Sequence, residues 1–409
     1  MSKKTFALFI LLLLGIIALI GWLLFFRNTP AETPGTTQQG TDLFPFGPGS
    51  TGTTSATTTP GGTGTGQGEP VSSTEKLPRL RQLWKDPTAG ATFFPGSGTT
   101  TAIRFVDRAT GHIYEAPIDA LGNSKLSNVT IPQIHEALWA ENGNELIFRY
   151  LKNSTTIQSF YAVMATGTAE NALEGYFLPE NIRDLAVQGN KMLYFNPSVQ
   201  IGSLTQANID GTAKKVIMSS EARDWALSYT NQKSVFLETR PSGEIKGFGY
   251  ALDLATGATT KIAGDILGLT GTINPAGNRA FMSAAEKNSV VSAHYDILTK
   301  KTSPLSIRTL SDKCAWSNTR SNAIYCGVPA GIPSGIYPDD WYKGKVSFSD
   351  RLIEIDLSTG EATPLLDPSF DGLQEMDIMK ITVNKADKAL TFINKKDMSL
   401  WLYMLTDDY

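Results

Sequence analysis

Few side chains in this 409-residue chain are placed to do chemistry, and their spacing excludes the common constellations. The three histidines, His112, His135 and His294, lie far apart and show no metal-ligand spacing. The two cysteines, Cys314 and Cys326, are too few for a four-thiolate metal site. No Gly-x-Ser-x-Gly elbow marks a nucleophilic serine. A catalytic triad needs a nucleophile and a carboxylate converging on one histidine, which no local motif supplies. No catalytic residue, cofactor or metal is therefore assigned. Two groups stand out instead. One is "YPDDWYKG", which sets Tyr337, Asp339, Asp340, Trp341, Tyr342 and Lys343 close together. Aromatics beside carboxylates suit a protein hot spot or stacking on a sugar ring. They suit equally a private core in which Trp341 and Tyr342 fold the segment down. The other group is a recurring charged pair, Arg183 with Asp184 in "IRDLAV" and Arg223 with Asp224 in "ARDWAL".

Composition narrows the partners. A hydrophobic content of 41% with 10% aromatics is ample for a packed core. The net charge of −3 argues against nucleic acid, which calls for clustered Lys and Arg. The clearest signal is "FALFILLLLGIIALIGWLLFF", residues 6–26, long enough to cross a hydrocarbon core of about 30 Å. Lys3 and Lys4 precede it, and Arg27 is the only basic residue after it until Lys76, which places the N-terminus in the cytoplasm and the remainder outside. A cleaved signal peptide would have a shorter apolar run and a small-x-small site, and "WLLFFRNTP" offers neither. Residues 1–27 therefore read as a cytoplasmic tip and signal-anchor helix.

Residues 28–75 are rich in Thr, Gly, Pro and Ser and read as a flexible linker with a typical reach of about 40 Å. One apolar island, "DLFPFGPG" with Phe44, Pro45 and Phe46, is either a docking motif for a partner's groove or a sticky cluster near the membrane.

From residue 76 to 409 the chain is strand-like and repeats. An aromatic-centred strand recurs at Phe105, Phe148, Tyr194, Phe236, Phe281, Tyr325 and Phe392, in steps of about 42–46 residues with one longer final step. A polar turn ("ENGNE", "NPAGNR", "NKADK") and a short strand precede most of these. A third strand and a "DLATG" or "DLSTG" hairpin follow. Four antiparallel strands per repeat make a propeller blade, and seven markers make seven blades. Blade seven runs out of chain before its outer strand. The isolated stretch Leu80–Trp84 is expected to supply it and close the ring without an open edge. An immunoglobulin-type sandwich lacks such repetition, and no helical period supports a solenoid of helices.

The "WSN" and "WAENG" openings and the "D-L-x-T-G" hairpins resemble those of TolB-type and WD-repeat-like bacterial propellers, over about residues 76–409. The resemblance implies a binding scaffold and carries over no catalytic residue. Sialidase-type Ser-x-Asp-x-Gly-x-Thr-Trp boxes are absent. In this frame Val328–Asp350 is an insertion between the second and third strands of blade six, on the face where propeller ligands usually bind. The Arg-Asp pairs open first strands, so they either ring the channel mouth or pair between blades. Cys314 and Cys326 flank one hairpin and face each other across it, a possible structural disulfide in an oxidising compartment. His112 and His294 fall in third strands and His135 enters blade two, all in structural positions. The combined reading is an anchored extracytoplasmic propeller that binds a protein or glycan of the envelope. Its rivals are a propeller-borne enzyme acting on glycans and a structural component of a surface assembly. Converging carboxylates in the central funnel would favour the enzyme, and a filled channel would exclude it.

Overall fold

The computed structural model of the chain describes residues 77–95, 101–164, 173–198 and 200–406. The apolar run 6–26, the linker and the Phe44–Pro45–Phe46 island lie outside them. Among the described residues no helix is long and apolar enough to cross a membrane.

The described strands form seven four-stranded antiparallel sheets, the blades of a propeller. The seven marker aromatics all fall in second strands, from Thr101–Asp107 in blade one to Ala389–Asn394 in blade seven. Each marker is at most 5% exposed. A blade is buried on both faces, so its central strands are near-continuous apolar runs rather than alternating ones. Their side chains fill cores shared between neighbouring blades: Leu193, Phe195 and Leu204 of blade three pack on Trp225, Val235 and Leu237 of blade four.

Polar turns hold the hairpins. Asn231 and Asn274 each accept two backbone N–H bonds of the turn that follows, at 2.8 to 3.1 Å. In the outer hairpins Asp253 accepts from the amides of Ala255 and Thr256 at 3.0 and 2.8 Å. Gly257 then takes a φ of +74°, a left-handed conformation that suits glycine.

Blade seven is the composite one. Its sheet order places Leu80–Trp84 outside Leu400–Met404, with Leu80 opposite Tyr403 and Trp84 opposite Leu400. The closing strand also faces blade one. The Trp84 ring lies 5.5 Å from Phe105 and 4.5 Å from Tyr114, and its indole N–H donates to Asp107 at 3.2 Å. The Arg81 guanidinium donates to the carbonyls of Ala120, at 2.7 Å, and Ile118. One strand therefore supplies both a sheet edge and an interblade contact.

His294 lies in a third strand and His135 immediately before blade two, but His112 sits in the turn preceding Ile113–Pro117. Its ring bonds Thr130 Oγ1 at 3.0 Å, while its carbonyl accepts from the Asp107 amide at 3.0 Å in the hairpin turn.

Trp84→Ala is expected to lower stability by about 2 kcal/mol in urea titration, because a half-buried ring and its indole hydrogen bond are lost together. Deleting residues 77–84 should expose the edge of Leu400–Met404 and produce oligomers by size-exclusion chromatography; a monomer of native stability would show that the seam closes by other contacts.

Candidate functional site

The insertion leaves blade six after Ala323–Pro329 and returns at Asp350–Asp356. It is not a free loop. Tyr337, Trp341 and Phe348 are 1%, 3% and 1% exposed and pack on Val290 of blade five and Leu310. Tyr337 and Trp341 thus form a private core, whereas Tyr342 is 44% exposed and takes no part in it. Asp339 accepts from the amide of Gly243 at 2.7 Å, tying the insertion to a blade-four loop, and lies 3.6 Å from Lys343. Asp340 accepts from the amide of Ile336 at 2.9 Å and pairs with Lys345 at 3.1 Å. Lys343 is exposed, and Tyr342 reaches inward to the channel.

Beneath this core is a buried ionic knot that the sequence did not suggest. Lys313 is fully buried, with Asp350 at 2.7 Å and Asp377 as its second carboxylate. Its ammonium also lies 5.1 Å from the Trp341 ring and 5.0 Å from Phe348. Asp377 accepts further bonds from the Trp341 indole at 3.0 Å, the Ser347 hydroxyl at 3.1 Å and the Phe348 amide at 3.1 Å. Asp350 accepts from the amide of Ile378 at 2.5 Å. Burial pushes the Asp350 carboxyl up to about 6, against the pull of Lys313. The knot fastens insertion, blade six and blade seven to one another.

The central channel is open. A cavity of about 490 Å³ is lined by residues of blades three to seven, and it adjoins one of about 570 Å³ flanked by blades one, two, three and seven. The two share Gln188, Tyr229, Asn318 and the blade-seven residues Ile381, Thr382 and Val383. Their charge differs. The lining of the second holds Glu136, bracketed by Lys380 at 3.0 Å and Arg149 at 2.9 Å. Burial alone would raise the Glu136 carboxyl, but the two cations outweigh it and hold it at about 2.

The lining of the first cavity contains Asp184, Glu238 and Asp312 and no Lys, Arg or His. Asp184 opens the first strand of blade three, Asp312 precedes that of blade six, and Glu238 pairs opposite Ala226 near the start of that of blade four. All three therefore stand at the insertion end of the blades. Tyr342 donates to both oxygens of Asp312 at 3.1 Å. Asp184 accepts from the Leu227 amide of the next blade at 2.7 Å, and burial pushes its carboxyl up to about 6. Glu238 is 7% exposed, and its Oε2 has no hydrogen-bond partner. Burial, reinforced by the charges of Asp312 and Asp184, raises its carboxyl well above the usual range.

Of the recurring charged pairs, only Asp184 lines this cavity. Arg183 and Arg223 are exposed, and the Arg183 carbonyl accepts from Arg149 at 3.1 Å. Asp224 lies 3.7 Å from Arg240 within its own blade. Asp184 thus links its blade to the next through a backbone amide. Cys314 and Cys326 stand opposite each other in register and are joined by a disulfide at the channel wall. Glu238 and Asp312 were missed because each is one charge at the end of an apolar strand or in a loop. The one signal was a carboxylate closing "SVFLE", where an inward-facing strand position is ordinarily apolar.

No protein family and no curated protein matches the sequence. Solved propellers match in fold. A GH74 xyloglucanase from Xanthomonas campestris is 10% identical, with a TM-score of 0.53 over 80% of this chain and 54% of that one. YCF48, solved bound to D1 peptide, is 11% identical, with a TM-score of 0.52 over 80% of this chain and 96% of that one. TolB from Acinetobacter baumannii is 11% identical, with a TM-score of 0.42 over 77% of this chain and 79% of that one. At such identities the likeness is one of architecture.

Lys313→Met would strand two buried carboxylates and is expected to cost about 3–5 kcal/mol at neutral pH. Asp350, already raised above its unfolded value, should rise further in the variant. Its contribution is then most favourable at low pH and is lost as pH climbs through the folded value, so the deficit should shrink toward pH 5. A deficit in urea titrations that is the same at pH 5 and pH 8 would mean that these carboxylates are not buried as charges.

Proposed function

We propose that this chain is a membrane-anchored, extracytoplasmic propeller that binds a protein partner of the envelope at the insertion end of its channel. The observation that carries the reading is the open, acidic cavity framed by Asp184, Glu238 and Asp312. Carboxylates gathered in one cavity without a counter-charge are costly to keep in a pure scaffold, so this cluster points to use. The insertion supports the site from outside: its private core and the Lys313 knot hold Tyr342 against Asp312. A rigid frame of this kind lowers the ordering cost of binding. The apolar run 6–26 and the linker supply the anchoring part of the reading, and the Cys314–Cys326 bond suits an oxidising compartment. A propeller of similar architecture, YCF48, has been solved with a peptide bound, in keeping with a protein ligand.

A second reading, an enzyme acting on glycans, draws on the same three carboxylates in an unfilled channel. Glu238, holding its proton, would be the acid.

Full-length chain solubilised from the envelope should retain a partner that is lost when Ser228→Trp fills the cavity, while thermal melting of the variant stays native. Equal capture by both proteins removes the channel from consideration. Release of reducing sugar from envelope glycan, abolished by Glu238→Gln, would transfer the site to the enzyme reading. For topology, Ser50→Cys should react with a membrane-impermeant maleimide on intact cells, and Ser2→Cys only after permeabilisation. The reverse pattern would overturn the extracytoplasmic placement.

A further inference from the structure

The acidic cavity has a chemistry of its own that specifies what enters it. Three carboxylates from three blades face one space whose lining supplies no cation. Each carboxylate is held in a different way. Asp184 is fixed by the Leu227 amide at 2.7 Å, and Asp312 by the Tyr342 hydroxyl at 3.1 Å. Glu238 receives the backbone amide of Gly271 and lines the cavity, and its Oε2 is buried and without a partner. A buried carboxyl oxygen left without a partner costs about 1–3 kcal/mol, so the empty site is one hydrogen bond short.

The donor that fits is cationic. Among the described residues no three Asp, Glu, His or Cys side chains gather closely enough to hold a metal ion. A spread of acceptors around a cavity of about 490 Å³ suits instead a group that directs several N–H donors outward, an ammonium or a guanidinium. Aromatic residues complete the setting, since Tyr342, Tyr229 and Trp316 also line the cavity. The neighbouring cations of the protein are engaged elsewhere: Lys313 with Asp350 and Asp377, Arg149 with Glu136, Arg240 with Asp224.

We propose that this cavity is a recognition pocket for a basic side chain, lysine or arginine, presented by the partner's polypeptide, with Glu238 Oε2 as the acceptor completed on binding and Asp312 as its flanking charge. The inference deepens the binding reading above and depends on it. Glu238 is faced by Asp184, Asp312 and the Tyr342 hydroxyl, with Arg240 beyond Tyr342. Burial and the two acids favour its protonated form, so an entering cation competes with that proton and releases it to solvent. Binding should strengthen as pH rises, and its heat should vary with the ionisation enthalpy of the buffer.

The test is titration calorimetry on the full-length chain in detergent, with the peptide acetyl-(Gly-Lys)4-amide, its arginine counterpart and its Nε-acetyl-lysine counterpart as probes. A basic peptide should bind, and the acetylated one should not. Glu238→Gln and Asp312→Asn should each weaken binding about tenfold, the loss of one charge-assisted hydrogen bond. Asp312 is exposed at the centre of the short 3-10 helix Ser311–Lys313, so its variant keeps the test decisive if Glu238→Gln fails to fold. No binding of either basic peptide, equal binding of the acetylated peptide, or indifference to both substitutions would overturn the proposal. Envelope capture separates the two levels. Capture lost in Ser228→Trp but intact in Glu238→Gln and Asp312→Asn leaves the channel as the binding site and removes cation recognition. Capture unchanged in all three removes both.

Discussion

Every blade of this ring buries its faces against two neighbours, so the whole depends on one pairing, Leu80–Trp84 against Leu400–Met404. A propeller has no core that any single blade could form alone. Its apolar area becomes buried only when seven sheets stand around one axis, and an unpaired seam would leave both a strand edge and an interblade face in water. The closing strand settles both with the same residues. Its backbone completes the sheet of blade seven, and Trp84 caps the Phe105 and Tyr114 side chains of blade one. Joining the first strand to the last also makes the ring cooperative, because opening the seam releases contacts at both ends of the described chain.

The channel is the consequence of that ring. Seven first strands around an axis cannot fill the space between them, and what lines it is chosen residue by residue. Toward blades one and two the chain balances charge, with Glu136 between Lys380 and Arg149. Toward blades three to six it does not. The insertion deepens this contrast, since it brings Tyr342 to Asp312 yet uses Lys313, the cation nearest at hand, inside its own foundation. The same segment is therefore a structural wedge on one side and part of a binding wall on the other.

The repeat was legible because it is a matter of local pattern. An aromatic at the centre of each second strand, an Asn that folds back on its turn and an Asp-x-x-x-Gly hairpin are all set by backbone geometry within a few residues. They recur wherever that geometry recurs. Even the closing strand could be foreseen, since blade seven lacked a strand and one stood unclaimed before blade one. The disulfide was legible as a pairing of positions about one hairpin. The insertion was legible as an interruption of the period, but its role was not. Trp341 and Tyr342 are adjacent in sequence and of similar chemistry, yet one is buried on a lysine–aspartate knot and the other touches the channel. That difference comes from a four-residue helix, Asp339–Tyr342, whose successive side chains point about 100° apart.

The sequence by itself determined seven blades, their order and the strand that closes them, because each follows from hydrogen bonds and burial between residues close in the chain or from a count of strands. The tertiary structure alone decided which charges meet. Asp184, Glu238 and Asp312 are separated by two long intervals of chain and come together only because different blades share an axis. Lys313, Asp350 and Asp377 meet for the same reason. Electrostatic interaction depends on distance and dielectric in space, and neither quantity is written in the spacing of residues along a strand.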